Sequence, residues 1–181
     1  MRCSVVSKVN SCLKYLYRQK LFLNLKERKL LCMALLQSRF DYGYNVYYRN
    51  LCQGTKHKLQ TAQNKMVRYI LGANSRYHIT CNDFMSLKLL NVDSRFHYLT
   101  LCLMYNIFNG TAPDYMCQDF CRVSHGYSTR NKNMAFVLPH VHAHGSRSFT
   151  FNAIKLWKGF RDSIKWIGPL KGRWQLFAES T

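Results

Sequence analysis

The segment 59–71, Leu-Gln-Thr-Ala-Gln-Asn-Lys-Met-Val-Arg-Tyr-Ile-Leu, closed by Gly72, constrains the fold most, because as a helix it separates into two unlike faces. At about 3.6 residues per turn, Leu59, Ala62, Met66 and Ile70 fall on one stripe, and Gln60, Asn64, Lys65 and Arg68 fall on the opposite side. This spacing predicts a core-packing helix with a basic, amide-rich outer face. Gly72 is suited to end it, since glycine adopts the left-handed conformation of a helix C-terminus without a side-chain clash. Gln63 lies beside the apolar stripe, where a buried amide needs hydrogen-bond partners and therefore fixes how neighbouring segments sit. The segment contains no catalytic group.

Charge gives the outer face a meaning. The chain has 27 Lys and Arg against 8 Asp and Glu, a formal charge of +19 over 181 residues and a pI of about 9.9. Self-repulsion on that scale opposes compactness, and a polyanion relieves it as phosphates neutralise Lys and Arg and counterions are released. The backbone of RNA or DNA is therefore the expected partner; a generally solvated basic surface is the alternative. With 48% hydrophobic and 14% aromatic residues, the chain has material for a core and is not expected to be disordered throughout. No signal-peptide core appears after Met1, and the longest apolar stretch, Tyr98 to Phe108, is broken by Thr100 and Asn106. Neither secretion nor membrane spanning is expected, which places the protein inside the cell, nuclear or cytoplasmic. The eight cysteines then read as reduced thiols, with Cys32 and Cys102 acting as small hydrophobes in helical runs.

Helical periodicity runs through the first two thirds. Val9 to Lys20 sets Val9, Leu13, Leu16 and Tyr17 on one side, and Asn24-Leu25-Lys26-Glu27 has the form of a capping box opening an apolar segment from Leu30 to Phe40. After 59–71 come a short helix over 82–90, a longer one from Asp93 to Phe108 ending before Asn109-Gly110, and a turn at 111–114 leading into a short helix that ends near Cys121. Beyond Arg122 the texture becomes polar and irregular, with extended or irregular backbone expected over 134–150 and one more helix over 149–166, weakened by Gly159. The expected fold is mainly α: a helical domain over 1–122, then a loop-rich, partly extended segment over 123–181 with one or two helices.

Chemistry-bearing motifs are sparse. Two-metal phosphoryl transfer needs converging carboxylates, whereas Asp41, Asp83, Asp93, Asp114, Asp119 and Asp162 are scattered singly. No phosphate-cradling glycine loop and no Gly-x-Ser-x-Gly elbow is present. No catalytic residue, cofactor or small-molecule substrate is expected. Cys117, Cys121 and His125 recur at intervals of four, and His140, His142 and His144 alternate, so Cys117, Cys121, His125 and His142 could hold zinc between the helical part and the tail; ordinary thiols and imidazoles are the other reading. In the run from Arg39 to Arg49, tyrosines could stack bases while Arg39 and Arg49 meet phosphates, or could pack helix against helix. Lys56, Lys58, Lys65 and Arg68 are the better phosphate candidates, projecting from the polar side of a helix committed on its other side to the core.

Several stretches occur in a familiar order and at familiar distances: Lys14-Tyr15-Leu16-Tyr17-Arg18; Phe40-Asp41-Tyr42-Gly43; Leu59-Gln60; Gln63 to Ile70; Gly110 to Tyr115; Thr129-Arg130; Leu138-Pro139; Gly145; Ser148-Phe149; and Trp157. This series, from about Val9 to Trp157, resembles the region downstream of the polymerase palm in reverse transcriptases of non-LTR retrotransposons, the jockey-like LINE elements. The resemblance implies a thumb-like helical part followed by a segment that helps hold template RNA and target DNA. It also implies that the catalytic aromatic-x-Asp-Asp motif lies upstream, in a palm domain that would be a further partner. A nucleic-acid-facing role passes to the block Gln63 to Arg68, with Lys65 and Arg68 as contacts, and Arg130 joins the basic candidates. One departure is that Trp157 is followed by Lys158-Gly159-Phe160-Arg161 where the family has Trp-Asn and then Leu-Pro, a pattern suited to a truncated or decaying element copy.

Overall fold

A computed structural model describes residues 4–121, 136–140 and 148–164, with the side chains of residues 4 and 161–164 left aside. The described residues are mainly helical, and no strand occurs among them. The chain divides into two compact units between Arg95 and Phe96. That boundary lies within a helix, not at the change of composition near residue 122, because the apolar residues after Phe96 join a core formed with later segments.

In the first unit, α1 (Ser4–Arg18) leads through a 3-10 turn (Lys20–Phe22) to α2 (Leu25–Cys32). The capping box at the start of α2 is complete: the Asn24 side chain accepts from Glu27 N–H at 3.0 Å, and the Glu27 carboxylate accepts from Asn24 N–H at 2.8 Å. The run Leu30 to Phe40 is not one uniform helix. A π turn over Met33–Gln37 separates α2 from α3 (Ser38–Asp41), and with it Cys32, Leu36 and Phe40 point inward while Leu30 and Leu35 remain exposed. Gly43, at φ 66°, starts α4 (Tyr44–Tyr47), a left-handed position that suits glycine.

Then comes α5 (Gln53–Leu71), which begins six residues before the Leu59 its apolar periodicity implied and packs directly on α1 and α2. Leu59, Ala62, Met66 and Ile70 are all buried, as the stripe required. Burying side chains of this size stabilises by about 1.5–3 kcal/mol each for the larger ones, so this face anchors the unit. At its end Gly72 takes φ 73°, with Gly72 N–H bonded to the Tyr69 carbonyl and Ala73 N–H to the Arg68 carbonyl. Two cations close the same terminus: Lys20 Nζ donates to the Gly72 carbonyl at 2.9 Å and Arg28 Nη1 to the Tyr69 carbonyl at 3.2 Å. Both meet the negative end of the helix dipole.

The short α6 (Cys81–Ser86) finishes with the same pair of bonds, Lys88 N–H to Met85 and Leu89 N–H to Phe84, but Lys88 occupies the left-handed position at φ 50°. Asp41 pins the unit elsewhere. Its carboxylate accepts from Gln37 Nε2 at 3.0 Å and pairs with Arg95 at 2.8 Å, tying α3 to the first turn of α7 (Val92–Asn109).

The second unit has an aromatic core. Leu101, Met104 and Ile107 of α7 lie in one buried cluster with Ala112, Phe120, Phe136 and the α9 (Phe149–Ile164) residues Ala153, Ile154 and Trp157. Between them runs α8 (Asp114–Gln118), reached through the left-handed Gly110 at φ 71°. Phe136 meets Phe108, Phe120 and Trp157 edge-on, at centroid distances of 6.5, 5.9 and 6.4 Å, so three segments share one ring.

Candidate nucleic-acid interface

At about 100° per residue, α5 is buried over roughly half its circumference, from Ala62 and Tyr69 through Met66 to Val67, and Lys58, Thr61 and Lys65 are exposed on the rest. Lys58 and Lys65 lie within about 20° of one another in projection and about 10 Å apart along the axis. That interval matches about three phosphates of one B-form strand. Arg68, half-buried, continues the stripe one turn on; its Nε donates to the Tyr77 carbonyl at 2.7 Å, which uses one of five guanidinium donors and fixes the group in place.

Helix α1 forms one bank of this stripe. Lys65 Nζ reaches Asn10 Oδ1 at 3.4 Å, a long contact, and Arg68 is close enough to Tyr17 for its charge to ease ionisation of that phenol. Burial is the larger influence on Tyr17 and raises its pKa overall. Lys14 shares the helical side of Asn10 and Tyr17, being one turn after the first and three residues before the second, and is exposed. Lys58, Lys65, Arg68 and Lys14 therefore belong to one edge.

The other predicted contacts are placed apart from that edge. Lys56 does not project from the polar side of α5, where it was expected with Lys58 and Lys65. It lies about 160–200° round from Lys58 and Lys65, half-buried, with Nζ 4.6 Å from the Tyr48 ring centroid, a cation–π contact. Arg49 is half-buried, and burial pulls its guanidinium below its usual range. Arg39 is exposed but donates from Nε to the Leu35 carbonyl of its own helical stretch at 3.0 Å. Arg130 lies outside the described residues.

The tyrosines of the same run divide. Tyr48 is buried and Tyr47 donates its hydroxyl to the Phe40 carbonyl, whereas Tyr42 is almost fully exposed.

The amides of α5 are structural. Gln63, 1% exposed, donates from Nε2 to the Leu90 carbonyl at 2.8 Å, the partner its position called for. Gln60, expected on the outer face, instead accepts from Val92 N–H at 3.0 Å and donates to Asn64 Oδ1 at 2.9 Å. Together they hold the entry to α7. Nothing near Gln60 in sequence signals this, since its partner is 32 residues away.

Sixteen Lys and Arg stand against four acids in residues 4–95, and none of the four acids belongs to α1 or α5. Glu27 closes the α2 box and Asp41 holds Arg95. Asp83 accepts from Thr80 N–H at 2.7 Å and Tyr77 Oη at 3.1 Å, and the Thr80 N–H above all holds its carboxyl below the usual range. Asp93 sits in the first turn of α7. Among the described residues no three His, Cys, Asp or Glu side chains converge as metal ligands would. Cys117 and Cys121 do not share a helical face, because α8 ends at Gln118; Cys117 Sγ–H points to the Ala112 carbonyl at 3.6 Å. His125 and His142 lie outside the described residues. No helix among the described residues is long and apolar enough to cross a membrane.

Comparison of the chain with protein-family models, with curated proteins and with solved structures finds no match in any of the three.

Proposed function

We propose that this chain is a nucleic-acid-binding, thumb-like part of a non-LTR retrotransposon reverse transcriptase, docking on the sugar-phosphate backbone of RNA or DNA and performing no polymerase chemistry alone. The observation behind the binding role is the acid-free stripe Lys58, Lys65 and Arg68, edged by Lys14, on a helix whose opposite side is committed to the core. The assignment to a reverse transcriptase rests on the ordered series of residue motifs, and polymerase activity would belong to an upstream palm domain. Backbone contacts position a protein without reading bases, so sequence preference should be small.

A second reading, an interaction module that docks on that palm, is favoured by Leu21 and Phe22, which expose 93% and 85% of their surface between α1 and α2.

Equilibrium binding of the full chain to mixed-sequence RNA and DNA over a salt series tests the first reading. Log affinity should fall linearly with log salt, by about 0.7 to 0.9 for each phosphate contact. Affinity indifferent to salt, or none, contradicts it. A chain that ignores polyanions yet captures a reverse transcriptase palm domain would establish the second.

A further inference from the structure

The outward side of α1 takes no part in the stripe described above except through Lys14. Lys8, Ser11, Lys14, Tyr15 and Arg18 are all exposed and project within about 120° of arc. No acid occurs in residues 4–26, so the first negative side chain along the chain is Glu27. Within the arc, about 20° round from Lys8, Tyr15 exposes 68% of its surface, and the Arg18 guanidinium lies 5.6 Å from its ring centroid. The edge nearest α5 is Lys14, and from it the exposed cations run by way of Arg18 to the ring, which lies about 100° round the helix from Lys14.

We propose that Tyr15 and Arg18 form a stacking platform for an unpaired base, which makes single-stranded nucleic acid, or the frayed end of a duplex, the preferred ligand of this surface. The proposal rests on the backbone-binding reading above and adds the class of strand. A ring on the convex outside of a helix cannot reach the faces of bases inside an intact duplex. An unstacked base can lie flat against it, with Arg18 contributing a second planar cation and Lys8 and Lys14 meeting the flanking phosphates. Because every base has a π-face, this contact discriminates paired from unpaired strands and not one sequence from another.

The test compares the full chain with Tyr15→Ala and Tyr15→Phe. Affinity is measured for an oligothymidylate, an abasic oligomer of the same length and the corresponding oligo(dA)·oligo(dT) duplex, each over a salt series. For the unchanged protein, oligothymidylate should bind tighter than both other probes. Tyr15→Ala should weaken oligothymidylate binding about five- to tenfold, the low end of aromatic stacking because the ring is exposed. It should leave the abasic oligomer, the duplex and all salt slopes unchanged, and Tyr15→Phe should keep the preference. Tyr15 is outside the core, so circular dichroism should be the same for all three proteins. Equal affinity for all probes with a steep salt slope would overturn the platform and leave backbone binding standing. Absence of binding to every probe would overturn both, whereas a loss by Tyr15→Ala that is equal on base-bearing and abasic strands would overturn the platform alone.

Discussion

The two sides of α5 use the same residue types differently. On the inward side Lys56 lies over Tyr48, while Gln60 and Gln63 bond to the backbone at Val92 and Leu90. On the outward side Lys58 and Lys65 are exposed, and only the long contact to Asn10 engages Lys65. A lysine's role on this helix therefore depends on what stands opposite it. The inward polar groups bond to the backbone on either side of the entry to α7; the outward ones stay exposed, as the proposed binding role requires.

The largest effect expected is on the inward side. Gln63→Ala leaves the half-buried Leu90 carbonyl without its donor, and denaturant unfolding should show a loss of about 1–3 kcal/mol. If salt-dependent binding of the refolded variant changed as well, the separation between the two sides would be broken. Lys56→Gln, on the same side, should cost about 0.5–1 kcal/mol through the lost contact with Tyr48 and leave the salt slope of binding as it was. A changed slope would move Lys56 to the ligand side.

A smaller effect of opposite sign checks the frame that holds both sides. Lys88 takes a left-handed backbone conformation that glycine occupies at the ends of α5 and α7, so Lys88→Gly should stabilise by a few tenths to about 1 kcal/mol in the same unfolding assay.

Alkali sharpens the contrast further. Burial pushes the Cys32 thiol from 9.0 up to about 12, and burial together with Asp41 pushes the Tyr47 phenol from 10.0 up to about 12. Both folded-state values are raised, so their contribution is intact below about pH 9 and is lost as pH climbs towards 12. Stability measured across that range should fall, and Cys32→Ala should flatten the part that begins near pH 9.

Much of α5 was legible because its information is local. The apolar stripe, the glycine stop and the need of Gln63 for a partner all follow from positions within four residues of one another. The same holds for the Asn24–Glu27 box and the end of α7 at Gly110. What was misplaced depends on distant segments. Gln60 reads as an outer amide until Val92 is set against it; Lys56 is different, since a count of about 100° per residue from Lys58 and Lys65 already turns it to the inner side, over Tyr48. The π turn at Met33–Gln37 left no mark in a run of apolar residues, yet it decides that Leu35 faces outward and Leu36 inward. Lys20 and Arg28 gave no sign that they close the end of α5, since they come from the segments just after α1 and at the start of α2. The exposed cations of α1 follow the same helical count as its apolar side: Lys8, Lys14 and Arg18 fall outside the stripe of Val9, Leu13 and Leu16.

The most direct test of the account is the salt dependence of oligothymidylate binding for the full chain beside two variants, Lys58→Gln with Lys65→Gln, and Lys56→Gln. Loss of the outward pair should lower the slope of log affinity against log salt by about 0.7 per contact, or about 1.4 in all, while Lys56→Gln leaves it unchanged. Equal slopes for all three proteins, or a drop confined to Lys56→Gln, would contradict the assignment of the outward side of α5 to nucleic acid.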